Sequence, residues 1–239
     1  MINVCLIGYG NWGKKVLHSL REIKTIKKIY LIKNRKDKKN IVDNNLKWIF
    51  VTANVSSHYS IVKKYLKKKI NVFCEKPLTN SLKKDVILFN IAKKNNCKLY
   101  VSDIENYKKK KINLRKKNTI IRNKFSNNKS NIIERLTYHD FTYLFKFFKN
   151  KKYKNLQILK KSTGKLHFSL NLNNRLLIFK YDLNSKIKKH KFNNCNLISS
   201  KNILKIMLLK VINDEVNFTQ NRKISLFANK ISNIIDAKL

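Results

Sequence analysis

Three of the four glycines in this 239-residue chain, Gly8, Gly10 and Gly13, fall within six consecutive residues. The apolar run Ile2–Ile7 precedes them and is typical of a buried strand, while apolar residues at helical spacing follow them. A strand, a tight turn and a helix in this order give each glycine a role. Gly8 permits the sharp turn, Gly10 lets the backbone approach a pyrophosphate, and Gly13 lets the helix pack closely on the strand. The helix N-terminus offers free N–H groups to phosphates; a tight turn without a ligand is the alternative.

The rest of the N-terminal half alternates apolar strand-like runs with helical stretches. The predicted strands are Lys28–Ile32, Leu46–Val51, Ile70–Cys74 and Lys98–Val101, and the predicted helices are Ser57–Leu66 and Leu82–Lys93. Strands that alternate with helices imply right-handed parallel crossovers, so the fold class is α/β with a Rossmann-type, doubly wound parallel sheet. Ligands bind such sheets at the carboxyl ends of the strands. The residues at those ends are Lys33-Asn34-Arg35, Thr52-Ala53-Asn54, Glu75-Lys76-Pro77 and Ser102-Asp103.

Three motifs in this order resemble one family. They are the glycine turn, the stretch Thr52–His58 (TANVSSH) and the stretch Cys74–Leu78 (CEKPL), which holds the only proline of the chain. Together they resemble the glucose-fructose oxidoreductase / inositol dehydrogenase / MocA (Gfo/Idh/MocA) family of NAD(P)-dependent oxidoreductases, most clearly over residues 1–107. The resemblance implies a Rossmann domain followed by an α+β domain with a mainly antiparallel sheet. It also implies dehydrogenase activity on the CH–OH groups of sugars and related compounds.

The resemblance places Lys76 beside the nicotinamide and the substrate hydroxyl as a catalytic residue. Oxidation of an alcohol releases a proton as well as a hydride, so a group that accepts the proton is needed. A surface lysine among many is the alternative for Lys76. His58 is expected to help shape the cofactor site, and a capping or packing role is equally open. The full cofactor-binding prediction comprises Gly8, Tyr9, Gly10, Asn11, Trp12, Gly13, Lys33, Asn34, Arg35, Thr52, Ala53, Asn54, His58, Glu75, Lys76 and Pro77.

The end of the second strand distinguishes the two nicotinamide cofactors. An acid there bonds the ribose 2′-hydroxyl of NAD, whereas cations suit the 2′-phosphate of NADP. Lys33, Asn34 and Arg35 come before the first acid, Asp37. The sequence therefore favours NADP, with NAD as the alternative.

A second informative stretch lies in the C-terminal half, at residues 134–148 (ERLTYHDFTYLFKFF). It has a helical apolar stripe, and His139 with Asp140 resembles the family's helix that carries an active-site histidine. By that resemblance His139 is the second catalytic residue, which exchanges a proton with the sugar hydroxyl near neutral pH. A locally satisfied histidine at a helix boundary is the alternative. Many relatives have an aspartate four residues before this histidine, where this chain has Arg135 and, one step away, Glu134.

The remaining segments predict a second domain at residues 108–239, after a Rossmann domain at 1–107. Strand-like runs occur at Leu166–Leu172, Arg175–Leu183 and Lys189–Ile198, and helices are predicted at residues 203–213 and 221–236. The pair Asn173-Asn174 predicts a hairpin turn, because asparagine tolerates positive φ. Residues 108–117 (KKKKINLRKK) are expected to form a solvated linker or an exposed helix face. Relatives are longer, so this domain is expected to be shortened internally.

Composition excludes few functions. The net charge is +42, which alone suggests a polyanion partner, but 48 of the 55 basic residues are lysines scattered along the chain. Lysine, asparagine and isoleucine all have A/T-rich codons, so biased composition explains the charge better than nucleic-acid binding does. Neither a membrane span nor a signal peptide is predicted, so we expect a cytoplasmic protein. The four cysteines lack metal-like spacing, and no metal site is predicted.

The resemblance therefore implies an NAD(P)-dependent oxidoreductase that acts on a sugar or nucleotide-sugar and forms a homo-oligomer through its C-terminal sheet. Two alternatives stay open. One is a non-catalytic NAD(P)-binding relative with a sensing or scaffolding role, which Arg135 and the expected internal shortening favour. The other is a basic nucleic-acid-binding protein.

Overall fold

The computed structural model describes residues 1–33, 45–108, 110–127, 132–148, 152–199 and 202–239. The chain divides into two compact units. The first unit comprises residues 1–104 and 202–229, and the second comprises residues 105–201 and 230–239. The sequence assigned residues 202–229 to the second domain, whereas the structure packs them with the first unit.

The first unit contains a five-stranded parallel sheet in the order β2-β1-β3-β4-β5. Its strands are β1 (Ile2–Ile7), β2 (Ile26–Ile32), β3 (Leu46–Val51), β4 (Asn71–Cys74) and β5 (Leu99–Val101). Three helices connect them: α1 (Asn11–Arg21), α2 (Val55–Lys67) and α3 (Leu82–Lys94). The predicted α/β class and Rossmann-type sheet are confirmed.

The central strands β1, β3 and β4 are apolar almost throughout, because helices cover both faces of such a sheet. Val4, Leu6, Phe50 and Phe73 are completely buried. Helix α1 buries one stripe that includes Val16, Leu17 and Leu20 and exposes its charged face. The core thus lies directly beneath the turns at the carboxyl ends of the strands and holds them in place.

The second unit contains a six-stranded sheet in the order β11-β10-β6-β9-β8-β7. Its strands are β6 (Lys117–Asn123), β7 (Tyr153–Ser162), β8 (Lys165–Leu172), β9 (Arg175–Asp182), β10 (Lys189–Phe192) and β11 (Cys195–Asn196). The β6–β9 pair is parallel and the other pairs are antiparallel. Asn173 and Asn174 both have positive φ between β8 and β9, which confirms the predicted hairpin turn.

One helical segment of the second unit changes its winding along its length. A π-helical turn at Ile133–Thr137 leads into α4 (Tyr138–Leu144), and a 3₁₀ turn at Phe145–Phe147 follows.

Two further helices complete the fold, α5 (Ile203–Ile212) and α6 (Phe218–Asp236). Within the described ranges, no helix is both long and apolar enough to cross a membrane.

Strands β6 and β7 were not predicted from the sequence. In β7 only Leu156 is buried, so the alternation of apolar and polar residues that marks a strand is absent. Its pairing with β8 makes it a strand. The basic run at residues 108–117 is also not uniformly solvated, since the Lys108 side chain is only 9% exposed.

Candidate functional site

The glycine turn between β1 and α1 contains two glycines that the fold itself requires. Gly8 has φ of +103°, and a Cβ there would lie 2.5 Å from the backbone nitrogen of Ala53. A Cβ at Gly13 would lie 2.2 Å from the carbonyl oxygen of Gly8. Real Cβ atoms do not approach backbone so closely, so both positions exclude a side chain.

Gly10 differs from these two glycines. Its backbone has φ −71° and ψ −175°, which any residue can adopt. Among the described residues, no heavy atom lies within 4 Å of the position that its Cβ would occupy. Neither backbone strain nor packing therefore explains a glycine here, and the open space over it suits a ligand that must come close to the main chain.

Gly10 is also the N-cap of α1. In the described part of the chain it receives no side-chain capping hydrogen bond, and the first turn of α1, beginning with Asn11, Trp12 and Gly13, contains no acid. Backbone N–H groups at a helix N-terminus together with the helix dipole favour an anion. The residues present therefore fit the pyrophosphate of a dinucleotide.

Side chains tie three neighbouring strand-end turns together. The Thr52 hydroxyl donates to the carbonyl of Gly8 at 2.8 Å, which joins the turn after β3 to the glycine turn. The His58 ring lies between the carbonyl oxygens of Ala53 and Pro77, at 2.9 and 3.0 Å from its two nitrogens. These bonds continue the links between strands beyond the point where the sheet's own backbone bonds end.

The Glu75-Lys76-Pro77 segment follows β4 at the same edge, and its Lys76–Pro77 peptide bond is cis. Glu75 is buried, and this burial raises the pKa of its carboxyl. The indole N–H of Trp12, the charge on Lys76 and the hydroxyl of Ser102 oppose that rise. Lys76 is half-buried. The structure thus brings the first turn of α1 and this segment into one neighbourhood.

Lysines surround Tyr9, which lies between the first two glycines of the turn. The Lys33 ammonium, at the end of β2, is 5.0 Å from the centre of the Tyr9 ring, and the Lys14 ammonium is 5.7 Å from it. The other two predicted residues of this strand end, Asn34 and Arg35, lie outside the described residues. Positive charge is therefore present at the position where the sequence predicts the cofactor ribose.

The remaining predicted residues of the first unit line the same edge of the sheet. Asn11 and Asn54 are exposed there, at the starts of α1 and α2 respectively, and Ala53 is half-buried. All the described cofactor-binding candidates thus cluster at the carboxyl ends of β1 to β4.

Sequence reasoning missed a buried carboxyl that supports the segment after Pro77. Asp85, in the first turn of α3, accepts hydrogen bonds from the hydroxyl of Thr79 at 2.6 Å and the amide of Asn229 at 2.5 Å. Burial raises the pKa of Asp85 to about 6, although these two hydrogen bonds by themselves would lower it. An acid in the first turn of a helix is too common to signal this role, and Asn229 is remote in sequence.

In the second unit, Asp140 belongs to a buried ion network that also contains Glu105, Lys108, Arg122, Tyr181 and His190. The Arg122 guanidinium bonds Glu105 at 2.6 Å and Asp140 at 2.7 Å. Tyr181 donates to the other oxygen of Asp140 at 2.8 Å. Both carboxylate oxygens of Asp140 therefore accept hydrogen bonds from residues of the six-stranded sheet.

His190 links the two ends of this network. Its Nδ1 lies 3.1 Å from the ammonium of Lys108, which can only donate, so Nδ1 accepts. Its Nε2 then carries the proton and donates to Asp140 at 3.0 Å. The imidazole of His190 therefore connects Lys108 to Asp140 through its two ring nitrogens.

His139 precedes Asp140 on α4 and is half-buried. Burial alone would raise the pKa of Glu105, but Arg122, His190 and, less strongly, His139 lower it. Arg135, at the position where relatives have an aspartate, is exposed in the π-helical turn. That position therefore holds an exposed cation in place of an acid.

Comparison with known proteins supports the resemblance. A family model described as an oxidoreductase family with an NAD-binding Rossmann fold (Gfo/Idh/MocA) matches residues 25–103. No curated protein matches the chain in sequence. The family resemblance predicted from the sequence is confirmed.

Solved structures share the fold across both units at low sequence identity. UDP-N-acetylglucosamine 3-dehydrogenase GnnA from Acidithiobacillus ferrooxidans is 10% identical, with a TM-score of 0.81 over 97% of this chain and 95% of that one. The WlbA (WbpB) dehydrogenase from Thermus thermophilus, in complex with NAD and UDP-GlcNAcA, is 10% identical, with a TM-score of 0.78 over 98% and 94%. A putative myo-inositol dehydrogenase from Sinorhizobium meliloti 1021 is also 10% identical and has a TM-score of 0.75 over 97% and 95%.

Proposed function

We propose that this chain, whose residues 25–103 match the NAD-binding domain of that oxidoreductase family, transfers a hydride between a nicotinamide cofactor and a secondary alcohol or ketone carbon. The open space over Gly10, at a helix N-terminus that lacks a described side-chain cap, is the observation that carries this proposal. A protein that used this turn only for folding would need glycine at positions 8 and 13 but not at position 10.

The cofactor's phosphates would be held by the backbone N–H groups of Asn11, Trp12 and Gly13. When bound, the nicotinamide supplies the hydride acceptor or donor. In the oxidation direction Lys76, in its uncharged amine form, would accept the proton of the substrate hydroxyl while the carbon passes a hydride to the nicotinamide, so that the alcohol becomes a ketone. Desolvation by the bound cofactor and substrate would favour that uncharged form. His139 is the second candidate for the proton, on the family resemblance alone.

We expect Gly10→Ala to separate binding from folding. The new methyl group meets no described atom, so the free energy of unfolding should change by less than about 0.5 kcal/mol. The same methyl would occupy the place of the pyrophosphate, and the dissociation constant for NADPH and NADH should rise by roughly a hundredfold. Nicotinamide fluorescence titration and urea unfolding measure the two effects.

Gly13→Ala is the matched control for this experiment. Its methyl would clash with the carbonyl of Gly8, so it should destabilise the protein as well as weaken binding. If Gly10→Ala bound both cofactors as the wild type does, the pyrophosphate site would lie elsewhere. Failure of the wild type to bind either cofactor would overturn the proposed function.

We further propose that the cofactor is NADP, held at its 2′-phosphate by Lys33 with Lys14. Two ammonium groups over the Tyr9 ring support this choice, because a phosphate dianion would bond them directly.

The Lys33→Ala variant should bind NADPH about tenfold more weakly while its affinity for NADH stays the same. Lys28→Ala is the matched control, since Lys28 makes a similar contact with the Tyr30 ring elsewhere on β2. Equal losses for NADPH and NADH in Lys33→Ala would argue against a 2′-phosphate site, and a wild type that prefers NADH would reverse the choice of cofactor.

The proposed substrate class is a sugar or nucleotide-sugar. Two of the solved structures with this fold are named for or bound to UDP-linked amino sugars, GnnA and WlbA, which supports this class. A panel of UDP-sugars and free sugars, assayed by NADPH absorbance in both directions, tests it.

A second candidate function is cofactor binding without turnover. Asp140, the acid beside His139, is fully engaged by Arg122, His190 and Tyr181, and Arg135 stands where relatives have an acid. This candidate is supported if the wild type binds cofactor and the whole panel gives no turnover.

A further inference from the structure

The backbone bonds of the parallel sheet end before the turns that form the proposed cofactor site. The last bond from β3 to β1 runs from the Thr52 N–H to the carbonyl of Ile7 at 2.8 Å. The last bond from β4 to β3 runs from the Glu75 N–H to the carbonyl of Val51 at 2.9 Å. Beyond these bonds, the turn at residues 52–54 and the segment at residues 75–77 need other contacts to keep a fixed separation.

His58 supplies such a contact. It lies in the first turn of α2 and is 2% exposed. One ring nitrogen meets the carbonyl oxygen of Ala53 at 2.9 Å, and the other meets that of Pro77 at 3.0 Å. Neither carbonyl can donate, so each contact is a hydrogen bond only when the ring nitrogen carries a proton. A single side chain thus spans both turns.

The contacts of the two ring nitrogens argue against direct binding of the cofactor by His58. A histidine that bound the cofactor directly would direct a ring nitrogen at it, whereas both nitrogens of His58 face main-chain carbonyls. The proline ring restricts φ of Pro77, so a fixed carbonyl on Pro77 limits the orientation of the preceding residue, Lys76.

We propose that His58 is a positioning residue, which sets the separation between the Lys76 segment and the turn at residues 52–54 without touching cofactor or substrate. This inference rests on the proposed function, because it assigns His58 an effect on the nicotinamide end of the site. The adenine and pyrophosphate end depends on the glycine turn, which Thr52 holds independently.

The test compares His58→Leu with His58→Gln, which keeps N–H donors. His18→Gln, at an exposed position of α1, is the matched control. Two ligands are titrated, NADPH and 2′-phospho-ADP-ribose, which lacks the nicotinamide. Amide hydrogen exchange of the peptide that spans residues 75–79 is measured in the absence of either ligand.

We expect His58→Leu to bind NADPH roughly tenfold more weakly, because the carbonyls of Ala53 and Pro77 lose the polar ring that lies between them. Its affinity for 2′-phospho-ADP-ribose should stay within about twofold of the wild type, since the glycine turn is unchanged. Exchange in residues 75–79 should accelerate in His58→Leu, and His58→Gln should recover part of both losses.

Each other result overturns the inference. Equal losses for both ligands would make His58 a general packing residue, and unchanged binding of NADPH would show that it positions nothing. A wild type that binds neither of these ligands, and does not bind NADH either, would overturn the proposed function together with this inference. A wild type that binds both, beside variants that bind equally well, would overturn only the role of His58.

Discussion

Arg122→Met is expected to lower the free energy of unfolding of the second unit by about 3–5 kcal/mol. Arg122 bonds two carboxylates whose side chains are 4% and 3% exposed, Glu105 and Asp140. Methionine fills a similar volume but leaves both carboxylates without their main counterion. The cost is therefore that of buried charges left unpaired, which is larger than the value of an exposed ion pair.

The measurement must report on the second unit. Both tryptophans, Trp12 and Trp48, lie in the first unit, so tryptophan fluorescence follows the wrong region. Urea unfolding followed by far-UV circular dichroism, with hydrogen exchange of β6, β8 and β9, is suitable instead. Arg115→Met, at an exposed position in the same unit, should stay within about 0.5 kcal/mol of the wild type.

The same variant should change how stability depends on pH. Burial alone would raise the pKa of Asp140, but Arg122 and His190 outweigh it and lower the pKa to about 2. The pKa of Glu105 is lowered for the same reason. Both carboxylates therefore stabilise the folded state above their unfolded pKa values of about 4. That stability is lost as the pH falls toward 2.

Without Arg122, burial is the dominant effect on these carboxyls and their pKa values should rise. The variant should then gain stability as the pH falls from 7 toward 4, and the difference between wild type and variant should shrink. A constant difference between pH 7 and pH 3 would mean that lost packing, not charge, explains the destabilisation.

Lys76→Met is expected to reduce kcat by about 10²- to 10⁴-fold while the dissociation constant for NADPH changes little. The substitution keeps the length of the side chain and removes the group that accepts the hydroxyl proton. The assay is hydride transfer with the most active sugar of the panel, followed by NADPH absorbance. A decrease in kcat without a matching change in KM would identify a role in the transition state.

Lys83→Met is the matched control, because Lys83 is an exposed lysine on α3 seven residues further along. Lys83→Met should leave kcat within about twofold of the wild-type value, because substitutions at exposed positions have small effects. If Lys76→Met also kept its activity, another group would accept the proton, and His139→Gln would be the next variant to assay.

Local patterns were sufficient for most of the fold. The apolar run Ile2–Ile7, the glycines after it and the alternation of strands and helices predicted the Rossmann-type sheet. Asn173-Asn174 predicted its hairpin correctly for the same reason. In each case the signal depends on neighbouring residues and on backbone sterics, which a sequence displays directly.

The ion network of the second unit could not be predicted from local sequence patterns. Glu105, Arg122, Asp140 and His190 are spread over 85 positions, and no spacing brings them together before β6, β9 and β10 pair. Lys108 stands in a run of four lysines, KKKK, and nothing in that run marks it as the one that is buried against Glu105.

The candidate site shows the same division. The turn formed by Gly8, Gly10 and Gly13 and the place of Glu75-Lys76-Pro77 after a buried strand could be predicted from the sequence, because these features are local. Which of the three glycines is free of packing constraints could not be predicted, since that depends on how closely Thr52 and Ala53 approach the turn in the folded chain. The contacts of His58 with two turns could not be predicted either, because the order of the strands determines which carbonyl groups lie within hydrogen-bond distance of the buried ring.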